Sequence, residues 1–174
     1  FFFFKQKTAY EIRNCDWSSD VCSSDLAIIS PDGKEAMIEH ARDCYNKNIP
    51  FIFDPGQGLP MFDKTELHQF IVQANYISVN DYEGQLLCEK TNLSIDEIAA
   101  KVNAFIITKG SQGSDIYTNG EKISIDPIKI DQPVDPTGCG DAYRAGLIYG
   151  IAHNMDWQST GRLASVMGAI KIQS

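Results

Sequence analysis

Apolar residues along this chain arrive in short, nearly unbroken runs separated by longer amphipathic stretches. The runs are Leu26–Ser30, Ile49–Asp54, Ala74–Val79 and Phe105–Thr108, each followed by turn-forming or polar residues. Runs without alternation are the pattern of strands buried on both faces. Between them, Asp32–Asn46 carries Ala36, Met37, Ala41 and Tyr45 at helical spacing among charges. Asp63 or Thr65 caps a second helix through Val72, and Asn80–Asp81–Tyr82–Glu83 opens a third reaching about Cys88. Ser94–Ile95–Asp96–Glu97 has the form of a capping box and begins a fourth. Alternation of this kind predicts an α/β fold, a mostly parallel sheet with helices on both faces.

The pattern changes after Phe105. Ser114–Tyr117 and Lys122–Ile125 flank Asn119–Gly120, a strong hairpin signal, so the sheet is expected to end in an antiparallel element. Pro127, Gln132–Pro133 and Pro136 predict an extended approach to a glycine loop. A helix follows that loop to about His153. Asp156–Trp157 starts a last helix with Leu163, Val166, Met167 and Ile170 at core spacing.

The first 26 residues follow no such pattern. They lack a sustained period, and the Ser-Ser-Asp triplet occurs twice, at Ser18–Asp20 and Ser23–Asp25. The order of a signal peptide is missing. The segment resembles translated sequencing-adapter read-through, so residues 1–26 are expected to be non-native and residues 27–174 a partial domain.

Composition narrows the partners. A chain of 174 residues with 43% hydrophobic and 22% charged content supports one globular core. Its net charge of -8 argues against a nucleic-acid surface. No apolar run approaches the roughly 20 residues that a membrane helix needs. Five cysteines form no CxxC pair, which suits reduced thiols and a cytoplasmic setting.

The chemistry concentrates in Val134–Gly146. Gly138 and Gly140 allow a tight turn that exposes N–H groups at a helix start, and such a start favours an anion. Asp141 there is either an ordinary N-cap or a proton acceptor beside an anion site. Two further clusters fall at predicted strand ends: Asn80–Glu83, and Thr108–Lys109–Gly110 with Gly113. In open α/β sheets such ends converge on one crevice.

Taken together, these clusters resemble the ribokinase-like (PfkB) kinase family. Asp135–Pro136–Thr137–Gly138–Cys139–Gly140–Asp141 is similar to its D-T-x-G-A/C-G-D signature, Asn80 and Glu83 to its NxxE motif, and Thr108, Gly110 and Gly113 to its T-x-G-x-x-G turn. The resemblance implies a ribokinase-like three-layer α/β/α sandwich, of which this chain is the C-terminal portion. The N-terminal half and the C-terminal end would be missing, leaving the fragment inactive alone and poorly soluble. It implies ATP and Mg²⁺ as cofactors, Asp141 as base, and Gly138, Cys139 and Gly140 as an anion hole. Asn80, Thr108, Lys109, Gly110, Gly113 and Thr137 would serve the nucleotide, and Glu83 would hold Mg²⁺ through water. Lys109 is within reach of a phosphate, and equally reads as a solvated turn lysine.

Asp135–Pro136 and Asp141–Ala142–Tyr143–Arg144 are similar to adenosine-kinase-like bacterial members of the family. Asp54–Pro55–Gly56–Gln57 stands where ribokinase-type members carry D-x-N-x-R. The expected acceptor is a nucleoside, adenosine first, ahead of a sugar or sugar phosphate. The full-length protein is open to homodimer formation. A catalytically inert nucleotide-binding module is a further alternative. A Rossmann-type dinucleotide binder is disfavoured, because the glycine loop comes late and no GxGxxG opens a first βαβ unit.

Overall fold

Among the described residues, six strands pair in the order in which they occur along the chain. They are β1 (Ala27–Ile29), β2 (Phe51–Phe53), β3 (Tyr76–Asn80), β4 (Ala104–Thr108), β5 (Ser114–Thr118) and β6 (Glu121–Ile125). β1 to β4 are parallel, and β5 and β6 join antiparallel. The computed structural model describes residues 26–130 and 134–173. Of the segment 1–26 read as foreign sequence, residues 1–25 lie outside the described residues, as do the extended approach at Gln132–Pro133 and the chain end at Ser174.

The helices are α1 (Lys34–Asn46), α2 (Lys64–Gln73), α3 (Asp81–Thr91), α4 (Ile95–Ala99), α5 (Cys139–Ala152) and α6 (Trp157–Lys171). Strand β4 shows how they are layered. Phe105 and Ile107 point into a core with Met37 and Ala41 of α1, Leu67 and Phe70 of α2, Leu87 of α3 and Ile98 of α4. Ala104 and Ile106 point the other way, against Tyr143 and Leu147 of α5 and Ala164 of α6. Period-2 alternation of apolar side chains on both faces thus gives the expected α/β/α sandwich. The larger core is organised by aromatics: Phe53 stacks on Phe70 at 4.1 Å between centroids, and Phe62 meets Phe70 edge-on at 5.0 Å.

Local chemistry sets the boundaries. Asp63 accepts from the Glu66 N–H at 2.9 Å while Glu66 accepts from the Asp63 N–H at 2.8 Å, a capping box that selects Asp63 over Thr65 as the cap. Ser94 and Glu97 form another. Asn119 and Gly120 have φ values of 51° and 76°, as the hairpin turn requires. The first helix starts at Lys34 rather than Asp32, with Gly33 at its N-cap and no side-chain cap bond. A 3-10 helix over Gly56–Met61 carries no periodic signal in sequence.

The last helix corrects one expectation. Its buried residues are Thr160, Gly161 and Ala164, whereas Val166, Met167 and Ile170 are exposed. α6 lies too close to α5 and the sheet for large side chains. A Cβ on Gly161 would stand 2.6 Å from Ile125 Cγ1. Small residues therefore make the contact, and the bulky apolar ones project elsewhere.

Candidate active site

The carboxyl ends of the parallel strands are where the candidate residues collect. Asp54 follows β2 directly, and its N–H extends the ladder by donating to Ile29 O at 2.9 Å. Asn80 ends β3 and is paired in register with Thr108 at the end of β4. A cleft of about 660 Å³ opens there, walled by Asp54, Asn80, Tyr82, Glu83, Asp141 and Arg144 among others.

Asn80 and Glu83 cap α3 reciprocally. The Asn80 side chain accepts from the Glu83 N–H at 2.8 Å, and Glu83 Oε2 accepts from the Asn80 N–H at 2.9 Å. The cap uses only Oε2, so Glu83 Oε1 is left to the cleft. One carboxylate oxygen beside a space for phosphates fits the way Mg²⁺ is usually held, through few protein ligands and several waters. No group of three or more His, Cys, Asp or Glu is placed to hold a metal among the described residues.

The glycine loop is shaped from within. Asp135 Oδ1 accepts from the Thr137 N–H at 2.8 Å, and that bond holds the Asp135 carboxyl below the usual carboxylate range. The Cys139 N–H donates to Pro136 O at 3.2 Å. Val134 and Asp135 donate their N–H groups to Ile172 O at 2.8 and 3.2 Å, tying the loop to the end of α6. Gly138, with φ +78°, is the N-cap of α5, and no side chain caps that helix. Asp141 is thus not the cap. It sits in the first turn with its side chain 85% exposed.

What Asp141 touches is Arg144, whose Nη1 donates to its Oδ1 at 3.1 Å. The same guanidinium reaches across to β2. Its Nη2 donates to Asp54 Oδ1 at 2.8 Å, and its Nε lies against Asp54 Oδ2. Asp54 is 1% exposed. Burial pushes its carboxyl up to about 6, overcoming the attraction of Arg144, and Glu83 and Asp141 add to the rise.

Of the residues expected from sequence, the cleft walls include Asn80, Glu83 and Asp141. Thr108 lies one strand over, its hydroxyl donating to Val79 O at 3.4 Å. Lys109 is ion-paired with Asp115 at 2.9 Å, and Asp115 is shared with Lys122 at 2.9 Å. Gly110 and Gly113 have φ of +56° and +85°, and a Cβ on Gly113 would stand 2.1 Å from Ile125 O. They shape the β4–β5 turn and, with Thr137, Gly138, Cys139 and Gly140, stand outside the cleft walls.

Sequence reasoning did not place Asp54 or Arg144 in the site. Their signals were available. Asp54 is a lone carboxylate at the end of a buried strand, and Arg144 lies three residues after Asp141, on the same helix face.

A family model described as pfkB family carbohydrate kinase matches residues 7–174. The structure of Burkholderia thailandensis nucleoside kinase in complex with inosine superposes with a TM-score of 0.85 at 51% identity, covering 86% of this chain and 49% of that one. The nucleoside kinase of Methanocaldococcus jannaschii is 33% identical over 152 residues, 87% of this chain and 50% of that protein. Bacillus subtilis ribokinase is 27% identical over 151 residues, 86% of this chain and 49% of its own length. The chain spans about half the length of the curated relatives it matches. No helix among the described residues is long and apolar enough to cross a membrane.

Proposed function

We propose that this chain, which belongs to the pfkB carbohydrate kinase family, carries the phosphate-side half of an ATP-dependent kinase acting on a nucleoside. Asp141 is the base that takes the proton from a primary hydroxyl of the acceptor. That oxygen bonds to the γ-phosphorus, the bond from phosphorus to the bridging oxygen of ATP breaks, and ADP leaves. Phosphoryl transfer asks mainly for positioning and charge stabilisation, which a helix start and a well-placed carboxylate supply.

The observation that carries this reading is the exposed Asp141 at the start of α5, in one cleft with the cap-forming Glu83. A carboxylate that does not cap its helix, standing where a helix start favours an anion, has chemistry as its best use. Gly138, Cys139 and Gly140 form the anion hole. In the arrangement described, the Cys139 N–H is turned inward to Pro136 O, so forming the hole requires that bond to be exchanged. Asn80, Thr108, Lys109, Gly110, Gly113 and Thr137 serve the nucleotide, and Lys109 must leave Asp115 to do so. Mg²⁺, held at Glu83 through water, would draw charge from the phosphate oxygens.

A nucleoside is favoured over a sugar by the inosine complex of the Burkholderia thailandensis relative. Adenosine remains the first choice. A sugar acceptor is the second reading, supported by the ribokinase relative. We take the cytoplasm as the enzyme's setting, small molecules rather than nucleic acid or membrane as its partners, and a homodimer as an open state.

The test is ADP formation by the intact gene product with adenosine, inosine, ribose and fructose, beside Asp141→Asn. Turnover on nucleosides that vanishes in Asp141→Asn supports the proposal. Turnover on sugars alone moves the acceptor to the second reading, and full activity of Asp141→Asn overturns the base assignment.

A further inference from the structure

Three side chains from two parts of the fold form one chain of contacts: Asp54 after β2, then Arg144 and Asp141 on α5. The partners Asp54 and Arg144 lie 90 residues apart in sequence. We infer that Asp54 is a positioning residue for Asp141, acting through Arg144; this rests on Asp141 being the base.

The geometry is that of a fork. A guanidinium is planar and presents its N–H groups in fixed directions. Asp54, itself buried in the sheet end, accepts a hydrogen bond from Nη2 and lies in ion-pair contact with Nε, which has no hydrogen-bond partner. With that edge fixed, the direction of Nη1 is fixed too, and Nη1 is the atom bonded to Asp141.

Asp141 needs such a guide. Its side chain is 85% exposed, and Arg144 is the hydrogen-bond partner of its carboxylate. A solvated aspartate samples several rotamers, while a base must stay within hydrogen-bond reach of the hydroxyl it serves.

Gly140 gives an independent sign that the space is kept for this guanidinium. A Cβ at Gly140 would stand 2.8 Å from Arg144 Nη1. A terminal arginine nitrogen would ordinarily swing aside, but this one is held from behind by Asp54. The missing side chain therefore leaves room for the Arg144–Asp141 bond itself.

Asp54 also limits how far Arg144 commits to Asp141. Two of the three nitrogens in contact are taken by Asp54, so Asp141 receives one hydrogen bond. Without Asp54 the whole guanidinium is released to Asp141, pairing it more closely and weakening it as a base.

The experiment measures kcat and KM for ATP and for the acceptor in the intact gene product. The variants are Asp54→Asn, Arg144→Lys, Asp141→Asn and the double change Asp54→Asn with Arg144→Met. Melting is followed in each. Asp54→Asn and Arg144→Lys are expected to lose about tenfold or more in kcat, with both KM values little changed. Lysine keeps the charge but not the fork, so it does not rescue. The double variant leaves no unpaired buried charge, and its kcat should stay as low as the singles while its melting recovers.

If the double variant regains kcat together with stability, the link is structural and the inference fails. If Asp141→Asn is inactive while Asp54→Asn and Arg144→Lys keep full kcat, the inference fails and the base assignment stands. If Asp141→Asn turns over normally, the base assignment falls and takes the inference with it.

Discussion

Gly146 of α5 meets Ala164 of α6 so closely that a Cβ on the glycine would lie 2.5 Å from the Ala164 Cα and 2.9 Å from its backbone nitrogen. Those are backbone atoms, which cannot turn aside. Gly150 repeats the contact one turn on, against Thr160. Gly146→Ala is therefore expected to cost about 3 kcal/mol, the upper part of the overpacking range. Gly33, where an added Cβ meets nothing within 4 Å, is the control. Gly33→Ala puts a poorer residue at the N-cap of α1 and should cost no more than about 1 kcal/mol. Urea unfolding of both variants checks the contrast.

Glu83 has two separable tasks. Its Oε2 closes the capping box with Asn80. Glu83→Gln keeps an oxygen for the Asn80 N–H but removes the negative charge. The variant is expected to melt near wild type while Mg²⁺-dependent nucleotide binding weakens about tenfold or more. Asn80→Ala removes the acceptor for the Glu83 N–H and should cost about 1 kcal/mol of stability. Thermal melting with titration calorimetry separates the two effects.

Burial of Asp54 predicts a pH dependence of stability. Its folded carboxyl is pushed up to about 6 from the ordinary 3.8. Between those values the folded state holds a proton that the unfolded state has released. Stability from this group therefore falls as pH rises from 4 to 6. The slope is opposite to that of a salt-bridged surface carboxylate. A shift of that size is worth on the order of 3 kcal/mol. Unfolding free energies measured from pH 4 to 7 should decline with pH in the wild type and flatten in Asp54→Asn.

Asp115 works the other way. Burial raises its proton affinity, but Lys122, Lys109 and Ser124 outweigh that and hold its carboxyl below the usual value. Its stabilisation is present at neutral pH and lost as the solution is acidified through the carboxylate range. Asp115→Asn should destabilise the β5–β6 hairpin by about 1 kcal/mol. It should also free Lys109, so nucleotide affinity stays level or rises. Hydrogen exchange at β5 and a nucleotide titration read the two results.

Much of the fold is legible in the residues. Phe51–Phe53 and Phe105–Thr108 announce themselves as strands because both faces are covered, leaving no room for polar alternation. Asn119–Gly120 fixes the hairpin, and Asp63 with Glu66 fixes a helix start, because turns and caps are local chemistry. The buried stripe of α6 was not legible. Periodicity marks Val166, Met167 and Ile170 as apolar, but the face that packs is decided by how near the neighbouring backbone comes, and that favours small residues. The site divides in the same way. Asn80, Glu83 and Asp141 stand in stretches that resemble the family's motifs, and that resemblance brings them forward. Asp54 and Arg144 meet only through the fold, and the Lys109–Asp115 pair depends on the register of β4 against β5.

The order of the sheet carries a last consequence. A ribosome delivers β1 through β6 in the sequence in which they become neighbours, so each of β2 to β6 emerges beside a partner already made. Loops closed in this way are short, and short closures are fast. Arg144 is different: it reaches Asp54 only after the hairpin and the glycine loop have been laid down. The clamp on Asp141 accordingly forms only after all six described strands have been laid down. A chain stopped after β6 would hold all six described strands and lack Asp141 altogether.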